Sequence, residues 1–342
     1  MNRTIEISSG TILRTIFILL LLWFLFLVRD VLALVFVAII IVSAIDPVVD
    51  WFQKKNVPRS LTVFFVYVIF LSLFVLAVSL LIPPITAETE SLGKSLPKLI
   101  EQLSGYFKVV QDFAATHSLE QNINNFFSNA AGRISDAGTN LFSGTISFLG
   151  GIFDFIIVLS IAFYMSVQEA GSKKFFKSVF PKDHQEYVAG LVERIQHKMG
   201  RWLQGQLLLM LLVFLLDYLG LLAIKAPYAL ILALIAGILE IIPYVGPIIS
   251  AIIATLISFL HGPLTGVLVL GLFAAVQQLE GYVLTPLIMK KAVGLNPIIV
   301  ILALLIGAKL GGVLGVIIAV PLATVIGEVV NDLTTKKEEI PT

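Results

Sequence analysis

The sequence predicts an all-α integral membrane protein. It is expected to be polytopic, with about eight membrane segments and inverted-repeat helical hairpins in its C-terminal part. Three observations predict this. Charged residues are 13% of the 342 and hydrophobic residues 58%, whereas soluble domains carry roughly 25% charged residues. A chain this long and this poor in charge could not cover its own surface in water. Apolar runs recur along the whole chain, at 15–28, 31–45, 61–82, 147–167, 203–224, 228–242, 248–260, 264–288, 297–310 and 313–330. Finally, the last third contains two similar stretches, each too long to be one straight span.

The bulk numbers exclude several functions. A net charge of +1, without basic clusters interleaved with aromatics, gives no footprint for nucleic acid. There are no cysteines, so neither disulfides nor thiolate metal sites are available. The four histidines (His117, His184, His197, His261) fall at loops or interfaces and do not cluster. H-E-x-x-H, G-x-S-x-G and P-loop patterns are all missing. The expectation is a non-enzyme without cofactor or metal.

In chain order, residues 1–82 read as N-terminal transmembrane helices forming a scaffold. The run 15–28 follows Arg14 as a signal sequence would, but without a small-x-small cleavage site, so it reads as a retained helix. Only Arg29-Asp30 separates it from 31–45, which suggests a tight helical hairpin. Asp46-Pro47 is expected to end the second run, because proline disfavours helix in the residue before it. Residues 83–146 show two amphipathic patterns, on Leu92, Leu96, Leu99, Leu103, Tyr106 and Val110 and again on Ile123, Phe126, Phe127, Ala130, Ile134 and Leu141. They read as extracytoplasmic helices. Residues 147–202 give a span and a cytoplasmic amphipathic connector, with Tyr187, Leu191, Ile195, Met199 and Leu203 on one face and Arg194, Lys198 and Arg201 on the other. That pattern suits either an interfacial helix on anionic lipid or a stiff connector. Residues 203–332 read as a transport domain and 333–342 as a cytoplasmic tail.

Charge bias orients the chain. Segment 168–202 carries seven basic residues against four acids, and 83–145 carries four against six. The first is therefore placed inside with both termini, and the second outside.

The repeat emerges at a shift of 70. Pro227, Ile231, Leu232, Ala233, Leu234 and Gly237 fall on Pro297, Ile301, Leu302, Ala303, Leu304 and Gly307. At a shift of 69, Gly246, Ile248, Ile249, Ala254, Thr255 and Ile257 fall on Gly315, Ile317, Ile318, Ala323, Thr324 and Ile326. The paired Pro, Gly and Thr positions are the informative ones. As straight helices these stretches would be roughly 50 Å long, against a hydrocarbon core of about 30 Å. Each is expected to fold back inside the membrane, and span parity gives the copies opposite orientations. Inverted repeats with broken helices characterise secondary transporters.

The candidate transport residues are the polar or backbone-permissive ones in this greasy part. Glu240 could carry a proton, bind a cation, or pair with Lys309 at the equivalent tip. Lys309 could also snorkel to an interface. Pro243, Gly246 and Pro247 make a turn and free upstream carbonyls. Gln277, Gln278 and Glu280 cannot all face lipid, so they read as lining a cavity or meeting a hairpin tip. Asp217 is a lone intramembrane acid or an interface contact. Gly311 and Gly312 lie at the second tip. Gly307 and Gly315, with Gly311, form a close-packing face.

The stretches GILEIIPYVGPIIS and QQLEGYVLTPLIMKKAVGLNPIIVILALLIGAKLGGVLGVIIAVPLATVI resemble the autoinducer-2 exporter family of bacterial inner-membrane permeases. The resemblance is dense over 200–330 and looser before. It implies a cell inner-membrane location, homo-oligomers such as pentamers, elevator-like movement, and export of a small quorum-sensing sugar derivative or sodium/proton antiport. It marks Glu240, Pro243, Gly246, Pro247, Gln278, Glu280, Pro286 and Gly312 as motif positions. The partners expected are the lipid bilayer, a small solute and a coupling ion, sodium or proton.

Overall fold

In hydrocarbon every backbone N–H and C=O must be satisfied within the chain, so the apolar runs become helices. The computed structural model describes residues 9–115, 154–168, 181–182, 185–289 and 296–338. The helices are α1 (Ser9–Leu27), α2 (Arg29–Gln53), α3 (Arg59–Ala115), α4 (Asp154–Val167), α5 (Gln185–Ile224), α6 (Ala229–Leu239), α7 (Val245–His261), α8 (Pro263–Leu279), a π-helical turn (Glu280–Leu284), α9 (Thr285–Met289) and α10 (Pro297–Glu338). Among the described residues six helices are long and apolar enough to cross a membrane, and three shorter apolar helices accompany them. The second amphipathic helix expected over 123–141 lies outside the described residues.

The N-terminal helices differ from the expected hairpin. Val28 takes bridge-region angles (φ −94°, ψ 11°), but the bonds Val28 N–H to Phe24 O and Leu32 N–H to Val28 O carry the helical ladder across it. The chain therefore does not fold back at Arg29-Asp30, and α1 leaves its apolar side chains exposed. Nor does Asp46-Pro47 end the second run: α2 passes through Pro47 to Gln53. Its C-terminal turns are held from outside. Arg59 donates to Asp46 (2.7 Å), Asp50 (2.8 Å) and the Ser166 carbonyl (2.7 Å). This clasp ties α2, α3 and α4 around a core of Ala38, Val42, Val49, Val63, Tyr67, Val158 and Ala162. The Arg59 side chain is 11% exposed, whereas its partners Asp46 and Asp50 are 30% and 55% exposed, so solvent offsets part of the loss. Arg59→Ala is expected to cost about 1 kcal/mol, read as a lower midpoint of thermal unfolding in detergent.

Helix α3 runs through Pro83-Pro84, so the first amphipathic pattern continues the span, and the expected 82/83 boundary falls inside one helix. The 202/203 boundary does the same within α5. Helix α5 thus runs unbroken from the connector into the span. Its cations also differ from a lipid-facing set: Arg194 and Lys198 pair with Glu328 of α10 (3.0 and 2.5 Å), and Arg194 and Tyr187 also bond Asp332. Helices α2 and α5 cross at Gly200, where a side chain would collide with the Ser43 carbonyl. Gln204 donates to the Ala44 carbonyl across the same crossing (2.7 Å).

The two late stretches do fold back. In the first, α6 and α7 pack antiparallel through Ala229, Leu232, Ala233 and Ala236 against Ala254 and its neighbours. The turn is residues 240–244, closed by Gly246 N–H to Ile242 O (2.9 Å). In the second, the reversal within α10 takes one residue, Gly312 (φ 57°, ψ −136°). Gly307 then lies against Gly315, so close that a side chain on either would meet the other's backbone. Leu304, Ala319 and Val320 join Ile40, Met199 and Trp202 in the core behind it.

Candidate functional site

The site forms where the first hairpin meets α5 and α8. Helical period sets Gln206, Val213 and Asp217 on one face of α5, and all three are buried. Helix α6 ends at Leu239, which places Glu240 at the inward end of the hairpin. Glu240 is 2% exposed, yet its Oε2 has no hydrogen-bond partner. Its backbone carbonyl, freed at the helix end, accepts from Gln206 Nε2 at 2.6 Å. Opposite, the π-helical turn begins at Glu280, with the Thr285 N–H reaching back to the Glu280 carbonyl. Such wide turns recur at functional sites. Glu280 accepts from Gln277 Nε2 (3.2 Å) and Thr285 Oγ1 (3.5 Å), and its carboxyl faces that of Glu240 within hydrogen-bonding reach. Asp217, 1% exposed, also keeps one oxygen, Oδ1, without a partner.

Asp217, Glu240, Gln277 and Glu280 line a cavity of about 170 Å³ with Pro247, Ser250 and the apolar walls Val213, Ile248, Leu270 and Phe273. Among the described residues its lining contains three carboxyls and no base. Neutrality there has to come from protons or a bound cation, because an isolated charge in this setting is strongly penalised. The arrangement can hold and exchange positive charge.

The structure gathers some of the expected residues and separates others. Glu240, Pro247, Gln277, Glu280 and Asp217 line the cavity. Pro243 and Gly246 shape the turn: the Pro243 carbonyl accepts from Val245, and a side chain at Gly246 would strike the Leu239 carbonyl. Pro247 lies in the first turn of α7, where a missing N–H leaves no bond unmade. Gln278 and Pro286 are exposed. Lys309 is exposed beside Gly311 and Gly312 at the second tip, and Glu240 faces Glu280 instead of it. Gly311 borders an apolar groove of about 850 Å³ between the α1–α2 junction and α10.

Sequence reasoning missed Gln206, Ser250 and the π-helical turn. The first had a signal, since it shares a helical face with Asp217. Ser250 repeats at four residues with Gly246 and Ala254. The turn's only local sign is Pro286, which cannot donate to an upstream carbonyl.

A further missed residue holds the hairpin from a distance. Tyr228, the residue before α6, offers no side-chain cap, and Glu88 of α3 accepts from the N–H groups of Ile231 (3.0 Å) and Leu230 (3.4 Å) instead. A carboxylate at a helix N-terminus is favoured by both unpaired donors and dipole. Glu88→Ala is expected to lower stability by about 1 kcal/mol, detected as a small drop in the unfolding midpoint and faster amide exchange at residues 229–232.

Comparison with known proteins gives the family. Residues 12–335 match the family described as AI-2E family transporter. Three relatives carry the name "Putative transport protein". YueF of Bacillus subtilis (strain 168) is 30% identical over 274 residues, covering 77% of this chain and 73% of that protein. YrrI of the same organism is 26% identical over 306 residues, covering 86% and 84%. YhhT of Escherichia coli (strain K12) is 24% identical over 280 residues, covering 81% and 77%. A helical, multi-pass chain with an acidic cavity between broken helices, matched over nearly its whole length, belongs to the AI-2E transporter family.

Proposed function

We propose that the protein is a proton-coupled secondary transporter of a small solute, working by alternating access, with Asp217, Glu240 and Glu280 as the coupling site. The observation that carries this reading is the pair of buried, unpartnered carboxyl oxygens, on Asp217 and Glu240, in one cavity. Intramembrane acids of this kind mark ion and proton pathways. Residues 203–332 form the moving unit, an inverted pair of hairpins in this reading, against a scaffold of 1–82. The protein resides in the bacterial inner membrane as a homo-oligomer with cytoplasmic termini, and the family resemblance extends its solutes to autoinducer-2-like signal molecules and its direction to export. The absence of any base in the cavity lining favours a second, related reading, sodium/proton antiport.

The test uses proteoliposomes with an internal pH dye. Addition of sodium or of candidate solutes is expected to evoke proton movement. Steady conductance in a planar bilayer without gradient coupling would identify a channel. Proton movement evoked by nothing, in vesicles that hold folded protein, would leave a membrane scaffold.

A further inference from the structure

The cavity's chemistry bears on which solutes it can accept. Three carboxyls converge on it, and among the described residues no lysine, arginine or histidine lines it. Among the described residues Asp217 Oδ1 and Glu240 Oε2 have no donor, on residues 1% and 2% exposed, and the group facing the Glu240 carboxyl, Glu280, is itself an acid. Buried acceptors without donors cost about 1–3 kcal/mol each, and they are relieved by a ligand that brings N–H groups. An ammonium group offers three donors and no acceptor. Apart from Ser250 and Gln277, the rest of the lining is apolar, with the Phe273 ring, and suits a short hydrocarbon body. An anion would meet like charge on three sides, and a neutral polyol would leave most of the wall unmatched.

We propose that the site takes a small aliphatic primary ammonium ion, admitted in exchange for a proton carried by the carboxyl cluster. The exchange balances charge: the cluster releases one proton to solvent as one monovalent cation enters, and no covalent bond is made or broken. Asp217 and Glu240 receive the ammonium N–H groups. Gln277 and Thr285 hold Glu280 in place beside them. Gln206, bonded to the Glu240 carbonyl, fixes the end of α6. This substrate class rests on the transport reading given above.

The experiment measures binding of n-butylammonium to the full-length protein in detergent, by thermal shift and by proton release in weak buffer. n-Butanol, butyrate and tetramethylammonium serve as controls of equal or similar bulk. The expected result is saturable stabilisation by n-butylammonium alone, with proton release, and at least tenfold weaker binding in Glu240→Gln and Asp217→Asn. Asp30→Asn, at an exposed carboxyl outside the cavity, retains binding within a few-fold. Stabilisation by butanol or butyrate equal to that by n-butylammonium would overturn the proposal, as would unchanged binding in both carboxyl variants. Tetramethylammonium binding equally well would remove the role assigned to the N–H donors. Failure here is separable from failure of the transport reading. Sodium-evoked proton flux without n-butylammonium binding leaves coupling intact and removes the substrate class. Binding without any flux does the reverse.

Discussion

Replacing Glu240 by glutamine is expected to stop coupled transport while leaving the protein folded, with stability unchanged or raised by about 1–3 kcal/mol. The two effects have one origin. Glu240 is 2% exposed and its Oε2 lacks a partner, so the wild-type chain carries an unfavourable group in its interior. Glutamine keeps the shape and cannot ionise. It removes the close approach of two acids at Glu280 and the means of exchanging a proton. Removing a group that only stabilises the fold lowers the unfolding midpoint, whereas removing a functional group kept at a cost to stability raises or preserves it. Asp217→Asn is expected to give the same signature. Thermal unfolding and proton flux measured on the same preparations decide it: unaltered flux, or loss of flux accompanied by unfolding, contradicts the role given to Glu240.

Substituting Gly312 by alanine is expected to open the second hairpin. At φ 57° and ψ −136°, Gly312 occupies a region that residues with a Cβ avoid, at a cost of about 1–3 kcal/mol. Every other residue of α10 is helical, so relieving that strain favours a continuous helix over 297–338. A straight helix parts Gly307 from Gly315 and Leu304 from Val320, which would be 16 positions, roughly 24 Å, apart. The chain has no cysteines, so an engineered pair reports cleanly. Cysteines at Leu304 and Val320, both in the core behind the hairpin, should cross-link readily in the parent background and poorly in the Gly312→Ala background. Equal cross-linking in both would show that Gly312 does not set the reversal.

Length and glycine placement made the hairpins legible in the sequence. A stretch of some 33 apolar residues cannot lie straight in hydrocarbon, and the reversal falls at Gly312, in the expected tip. Proline was the poorer guide. Pro47 was read as a stop, yet α2 continues through it, because the contacts of Arg59 with Asp46 and Asp50 hold the chain on both sides of it. The charged pair Arg29-Asp30 suggested a turn, but the helical ladder runs across Val28. The candidate acids were all visible, but not their grouping. Which face of α5 meets which face of α8 depends on tertiary rotation, and a sequence match between tips favoured Lys309 where the structure puts Glu280. Gln206 was readable from periodicity, since it shares a helical face with Asp217. Glu88 was not readable, since it caps a helix 142 positions away.

The claim that joins these observations is that the acidic cavity opens to each side of the membrane in turn. Ser250 lines that cavity, is 2% exposed, and can be made the only cysteine in the chain. Labelling of Ser250→Cys by a membrane-impermeant thiol reagent, applied separately to right-side-out and inside-out vesicles, is the most direct test. Reaction from both sides, slowed from both by a saturating transported cation, is the predicted result; reaction from one side only, under every ionic condition tried, would contradict it.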